Sequence, residues 1–252
     1  LPIAREAVKS IERASRKADL IVHSFLLIHA GHTIARDHGL PSVSAQLFPV
    51  FMPTKAFPAV AMPDLPLGGL YRQATHTLNT AIIRNGSPLL YRSLFGSLPE
   101  LPKLASWPFK EPVDKNVSRL FAYSPQVLPK PDDWPDYAQV TGYWQLTPPE
   151  SWQPPEELVH LLEAGPPPLF FSPGSMRSEQ STRLTELVVE AAKTCGQRLC
   201  LGMARDADGS HLEDANVIFA NDVQHAWLFP RMRHIFHHGG AGTTGAAATA
   251  GV

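Results

Sequence analysis

His237-His-Gly-Gly-Ala-Gly-Thr-Thr244 gathers more anion-seeking groups than any other stretch of the chain. It follows the apolar run His234–His237 and precedes the small-residue helix pattern Gly245–Ala250. That order reads as strand, glycine turn, helix N-terminus. The first turn of a helix offers unpaired N–H groups at the positive end of its dipole, and glycines let a phosphate come close to the backbone. Thr243 and Thr244 add hydroxyls, one of them a candidate helix cap, and His238 adds an imidazole able to donate to a phosphate oxygen. For Gly-Gly-x-Gly taken alone, a turn needed only for close packing is the competing account.

Other groupings carry less. His29 and His32 lie three apart on a helical pattern that His38 ends, but no carboxylate sits at ligand spacing, so they read as a partly exposed helix face. Asp132 and Asp133 are adjacent in an extended segment, point to opposite sides, and so do not share a site. Asp206–Asp214 has the look of a calcium loop, yet its Glu comes too early and its flanks are not helical, which makes it a surface turn. Two cysteines, Cys195 and Cys200, make neither a disulfide framework nor a four-ligand zinc site. Cys200 lies in the apolar run Leu199–Leu201 and reads as a small core residue. No metal site is expected.

The elements that must position these groups follow from periodicity. The chain has 252 residues, 44% hydrophobic and 18% charged, a globular composition. A net charge of -1 gives no general attraction to nucleic acid, and the Arg13, Arg16, Lys17 cluster reads as a solvated helix face. Helix (Ile3–Lys17), strand (Asp19–His23), helix (Leu26–His38) and strand (Pro41–Gln46) alternate at the start, arguing for a parallel sheet. Phe48–Gly69 has no period but is too apolar for a solvated linker, so it is expected to pack as a loop. Leu70–Leu94 is helical with an interruption near Asn85–Pro88, Leu98–Lys115 is proline-rich, and Arg119–Ser124 and Gln139–Tyr143 are short strands. Thr147–Pro155 is a proline-rich linker. A second alternating series begins at Glu156, with strands at Pro168–Ser172, Arg198–Met203, Val217–Ala220 and His234–His237. Its helices are Glu156–Glu163, Glu179–Cys195, His225–Phe229 and one from about Thr243. The expected division is 1–146, a linker at 147–155, and 156–252.

With these residues in order, the sequence resembles the UDP-sugar-dependent glycosyltransferases, in particular the sterol-glucosyltransferase-like and antibiotic-glycosyltransferase-like branch. His237–Thr244 is similar to that family's donor-phosphate motif. Val223-Gln-His-Ala-Trp-Leu-Phe-Pro230 resembles its Pro-His-Asp-Trp-Leu-Phe-Pro segment near the nucleotide base, and Phe170-Phe-Ser-Pro-Gly-Ser-Met176 its turn facing the diphosphate. Ser124 to Pro135, Val140–Trp144 and Pro53–Pro58 resemble further stretches of the family in the same order.

The resemblance implies an α/β fold of two facing Rossmann-like domains (the GT-B type), both incomplete: an acceptor side and a donor side. It implies donor contacts from His238, Gly240, Ala241, Gly242 and Thr243, with Ser175 from the facing turn and Val223 and His225 near the base. Ser175 also fits a helix N-cap before Glu179, and His225 and Trp227 also fit core packing. The implied reaction is inverting transfer of a sugar, glucose being the expectation, from a UDP donor to a lipophilic hydroxyl acceptor such as a sterol. It needs no metal or other cofactor. A nucleotide-sugar- or lipid-binding remnant without turnover is the alternative.

Two positions depart from the family pattern: Gln224-His-Ala-Trp227 lacks the usual acid, and Ser172-Pro173 replaces Gly-Phe. The chain opens without Met and ends on Ala-Gly-Val, so both ends are expected to be cut. The catalytic base is then expected upstream, the sugar-hydroxyl pair downstream, and the fragment alone inactive. Leu1–Lys17 is no secretory signal and Leu20–Ala30 is too short and interrupted to span a bilayer. The expected setting is cytoplasmic, with room for contact at a membrane surface.

Overall fold

The computed structural model describes residues 2–24, 28–95, 117–174, 179–203, 214 and 216–252. The chain divides into two compact units, Leu1–Gly142 and Tyr143–Val252.

In the first unit α1 (Pro2–Ser15), β1 (Ile21–His23), α2 (Ile28–Asp37), β2 (Ser42–Gln46), α3 (Gly68–Phe95), β3 (Val117–Phe121) and β4 (Ala138–Val140) follow in order. The four strands are parallel and lie side by side in chain order. The turn after α2 takes a left-handed Gly39 (φ +66°), and Leu40 N–H closes it by donating to the Ala35 carbonyl at 2.8 Å. Helix α2 meets β1 so closely that a Cβ on Gly31 would stand 2.5 Å from the His23 Cβ. His23 is consequently buried, and neither ring nitrogen has a partner among the described residues.

The aperiodic segment after β2 is fixed by side chains from elsewhere. The Asp133 carboxylate accepts from the Thr54 hydroxyl (2.6 Å) and the Lys55 N–H (2.8 Å). Arg119 donates to the Phe51 carbonyl at 2.7 Å. From α3, Arg72 donates to the Ala56 carbonyl and pairs with Asp64, while Thr75 accepts from the Ala59 N–H and Tyr71 donates to the Pro63 carbonyl. The Phe57, Trp134 and Phe121 rings complete the packing, at centroid separations of 6.2 and 4.7 Å. Helix α3 runs without a break through Asn85–Pro88, where an interruption is expected from sequence. Proline removes one hydrogen bond, but the turns on either side keep theirs, and the helix is long enough to carry the loss. The proline-rich stretch Leu98–Lys115 lies outside the described residues.

The second unit holds α4 (Glu156–Glu163), β5 (Leu169–Ser172), α5 (Glu179–Thr194), β6 (Leu199–Leu201), β7 (Val217–Phe219), α6 (His225–Leu228), a single 3-10 turn (Phe229–Arg231), β8 (His234–His237) and α7 (Ala241–Ala250). Its four parallel strands run in the order β7-β6-β5-β8. One face buries Leu158, Phe170, Ile218, Leu228, Phe229 and Ala246, and the other Phe171, Val189, Ala192, Leu199 and Leu201. Between α5 and β8 a groove of about 660 Å³ remains, lined by Leu184, Val188, Cys195 and Phe236 among others. Cys195 is exposed, whereas Cys200 is buried within β6. The extended residues before α4 belong to this unit: a Cβ on Gly245 would stand 2.6 Å from the Tyr143 ring, Gln145 donates to the Thr249 hydroxyl, and Trp152 meets Trp227 edge-on.

Candidate functional site at the β5–β8 switch point

Strand order reverses at β5: β6 and β7 extend to one side and β8 to the other. In an open parallel sheet such a reversal opens a crevice at the carboxyl ends of the two strands concerned, where ligands bind. Here those ends are Ser172 and His237, which are in-register partners. The turns leaving them, Pro173-Gly174 and His238-Gly239-Gly240, are therefore neighbours although far apart in sequence.

Each part of this arrangement has a local cause. Gly239 holds φ +82°, a left-handed conformation that glycine adopts without strain, and its N–H donates to His237 Nδ1 at 3.1 Å. His237 Nδ1 is thereby an acceptor, which puts the proton of the neutral ring on Nε2. Burial, with a contribution from the neighbouring His238, lowers the His237 pKa from its ordinary value. On the facing turn the Ser172 hydroxyl accepts the Gly174 N–H at 3.3 Å, and Gly174 holds φ +94°.

His238 projects between these turns. A Cβ on Gly174 would lie 2.8 Å from its Nδ1, and one on Gly240 would lie 2.5 Å from its Nε2. Only glycine at both places leaves room for the ring.

Gly240 is the N-cap of α7, with extended backbone and no side-chain cap. The N–H groups of Ala241, Gly242 and Thr243 thus form an open first turn beside an imidazole, and the space around Gly242 is clear. The helix begins two residues earlier than the expected Thr243. Thr243 and Thr244 lie inside it, and the Thr244 hydroxyl donates back to the Gly240 carbonyl at 2.9 Å. Neither threonine serves as the cap, because Gly240 already occupies that position.

Val223 and His225 lie on the segment leading into α6. Val223 packs against the core that contains Phe229 and Ala246. The His225 ring stacks on Phe229 at 4.4 Å and meets Phe170 edge-on, and burial lowers its pKa. Trp227 carries Arg231 over its ring at 4.3 Å, a packing role. The structure thus brings together His238, Gly240, Ala241, Gly242 and Thr243 with Gly174, while Val223 and His225 lie half-buried on the lead-in to α6, in contact with the core. Ser175 lies outside the described residues, as do the side chain of His29 and most of Asp206–Asp214. Among the described residues no group of three His, Cys, Asp or Glu is placed to hold a metal ion.

No family model matches the chain. A sterol 3-beta-glucosyltransferase of Pichia angusta is 32% identical over 251 residues, covering 95% of this chain and 20% of the relative. The O-mycaminosyltylonolide 6-deoxyallosyltransferase of Streptomyces fradiae is 33% identical over 265 residues, covering 98% of this chain and 57% of the relative. The chain is a glycosyltransferase homologue. It spans between about a sixth and just over half of the length of the curated relatives it matches. Solved structures agree on the fold. The glycotransferase of kitacinnamycin matches 98% of the homologue with a TM-score of 0.60 at 17% identity, and covers 59% of its own chain. CalG4, the calicheamicin glycosyltransferase, matches 97% with a TM-score of 0.54 at 17% identity, over 58% of its own chain. The homologue therefore has the α/β fold of the GT-B glycosyltransferases, each unit built on a parallel sheet.

Sequence reading does not single out Gly174, and it weighs Asp133 only beside Asp132 as a carboxylate pair. Gly174 lies within the quoted Phe170–Met176 segment, but its contact with His238 depends on strand register. Asp133 becomes a loop anchor through Thr54, a partner 79 residues away with no local signal.

Proposed function

We propose that this chain is part of an inverting glycosyltransferase that moves a sugar, glucose in the first instance, from a UDP donor to the hydroxyl of a lipophilic acceptor such as a sterol. The observation that carries the reading is the His238 ring beside the open first turn of α7, at the point where strand order reverses. The donor diphosphate would lie there, with N–H groups of Ala241, Gly242 and Thr243 and an imidazole N–H directed at its oxygens. In the proposed single displacement the acceptor oxygen attacks the anomeric carbon as the bond from that carbon to the diphosphate oxygen breaks. Negative charge grows on the departing UDP, and preorganised N–H donors stabilise it more in the transition state than in the ground state. The base that deprotonates the acceptor is not assigned among these residues. The sterol glucosyltransferase relatives support the lipophilic acceptor. Os79 from O. sativa, with a TM-score of 0.53 at 14% identity over 98% of this chain and 60% of its own, was solved in complex with UDP and deoxynivalenol-3-glucoside, which supports the donor.

Calorimetric titration with UDP tests the site. Binding should weaken about tenfold to a hundredfold in His238→Ala, the loss of one charge-assisted hydrogen bond, and EDTA should leave it unchanged. A folded chain that ignores UDP, or a His238→Ala variant that binds as tightly as the parent, would sink the assignment. Binding without sugar transfer to any sterol would reduce it to nucleotide binding.

A further inference from the structure

The His238 ring is exposed, and among the described residues it makes no hydrogen bond that would fix its direction. Its two walls set that direction. The ring edge from Nδ1 to Cε1 faces Gly174, where a Cβ would lie 2.8 and 2.9 Å away, and Nε2 faces Gly240. The walls differ in how they are built. Gly240 opens α7, and its carbonyl accepts from the Thr244 N–H and from the Thr244 hydroxyl, each at 2.9 Å. That wall is as fixed as the helix. Gly174 stands two residues beyond the end of β5, outside strand and helix, and needs something else to hold it.

Ser172 supplies the hold. Pro173 has no N–H to give, so the turn closes through the next one, that of Gly174, which donates to the Ser172 hydroxyl oxygen at 3.3 Å. A serine oxygen that accepts from the N–H two residues on stands in for a backbone turn bond. The hydroxyl is itself well anchored. Ser172 is the last residue of β5, in register with His237 of β8, and its Cβ lies 3.1 Å from where a Cβ on Gly202 would stand, at the end of β6. Gly202 in turn donates its N–H to the Phe171 carbonyl at 2.9 Å. Contacts therefore run from the sheet to the Ser172 hydroxyl, on to Gly174, and from there to the edge of the His238 ring. Ser172-Pro173 is also one of the two departures from the pattern of the family the sequence resembles. The proline withdraws one N–H, and the serine provides an acceptor for the N–H that follows.

We propose that Ser172 is a positioning residue for the donor diphosphate: its hydroxyl holds the Gly174 turn against His238 and so keeps the imidazole aimed beside the first turn of α7. The inference rests on the reading of this crevice as the diphosphate site, and adds to it a residue that acts through another. A double-mutant cycle in UDP affinity tests it, with calorimetry on the parent, Ser172→Ala, His238→Ala and the double variant. Ser172→Ala should weaken UDP binding about threefold to tenfold, the contribution of one neutral hydrogen bond, and Ser172→Thr, which keeps the oxygen, should bind within about twofold of the parent. In the His238→Ala background the same serine change should cost less than about twofold, because the ring that it steers is gone. A nuclear Overhauser contact between Gly174 Hα and His238 Hε1 reads the same geometry without any ligand. It should be present in the parent and in Ser172→Thr, and lost in Ser172→Ala. A Ser172→Ala variant that binds UDP like the parent would overturn the proposal. So would an equal loss with and without His238, which would make the serine a direct contact. A parent that ignores UDP would remove the donor-site reading instead. The ring contact would then decide the positioning by itself, and its persistence in Ser172→Ala would overturn it.

Discussion

The slot that holds His238 is walled by backbone, which makes it testable without touching the histidine. Gly240 has φ -61°, a conformation any residue adopts, so Gly240→Ala adds one methyl and changes little else. That methyl carbon would stand 2.5 Å from His238 Nε2, too close for the ring to keep its place. UDP affinity in Gly240→Ala should fall toward that of His238→Ala while the melting temperature stays close to the parent's; calorimetry and thermal unfolding check both. Gly174→Ala should lose affinity and stability together, because φ +94° strains any side chain. His23 gives a second residue-scale expectation. Burial, reinforced by His32, lowers its pKa from 6.5 to about 4, so folding favours the neutral ring. The stabilisation is complete above pH 6.5, declines as pH falls, and is gone below about 4; its full size is about 3 kcal/mol. Urea unfolding between pH 7 and 4 should show that slope, and His23→Gln should flatten it. At this scale the strand–turn–helix order around His238 is legible because glycines, threonines and a histidine stand together in the sequence. The glycine that faces His238 across the turn is not, since strand register alone brings Ser172 level with His237.

At the scale of elements the alternation of short apolar runs with helical periods is enough to read the strands and helices of both sheets, most plainly at Leu199–Leu201, where a strand buried on both faces is a continuous apolar run. Helix ends are less legible. The start of α7 lies two residues before the expected one because Ala241 and Gly242 give periodicity little to register, and α3 passes unbroken through Asn85-Gly-Ser-Pro88, where the sequence suggests an interruption. The segment between β2 and α3 was legible as packed but not as organised. Its order comes from Asp133, Arg119 and Arg72, reached across long stretches of chain. Partial burial raises the Asp133 pKa, but the Thr54 hydroxyl and the Lys55 N–H outweigh it and hold the carboxyl below its usual range. Asp133→Ala should therefore release the loop, with faster hydrogen exchange at Lys55 and Ala56 and a stability loss of about 1–2 kcal/mol, limited by the exposure of the carboxylate. Unchanged exchange would mean that Arg119 and Arg72 suffice.

For the molecule as a whole, the residues ahead of α4 count with the second unit. Tyr143, Gln145 and Trp152 lie against Gly245, Thr249 and Trp227, so a chain begun at Tyr143 should melt several degrees above one begun at Glu156, as differential scanning calorimetry would show. Equal melting points would mean that the segment contributes no stability to this unit. Proline content marked this stretch as extended, but extension does not reveal which surface a segment lies on, and the aromatic contacts that decide it involve partners far along the chain. The two cysteines carry a practical consequence. Burial pushes the Cys200 thiol up to about 12, so it stays protonated inside the sheet, while Cys195 stands in solvent at the rim of the groove between α5 and β8. A thiolate-seeking dye should therefore mark the folded chain once and the unfolded chain twice. The molecule comes with its own single attachment point for fluorescence, placed where anything entering that groove would change the signal.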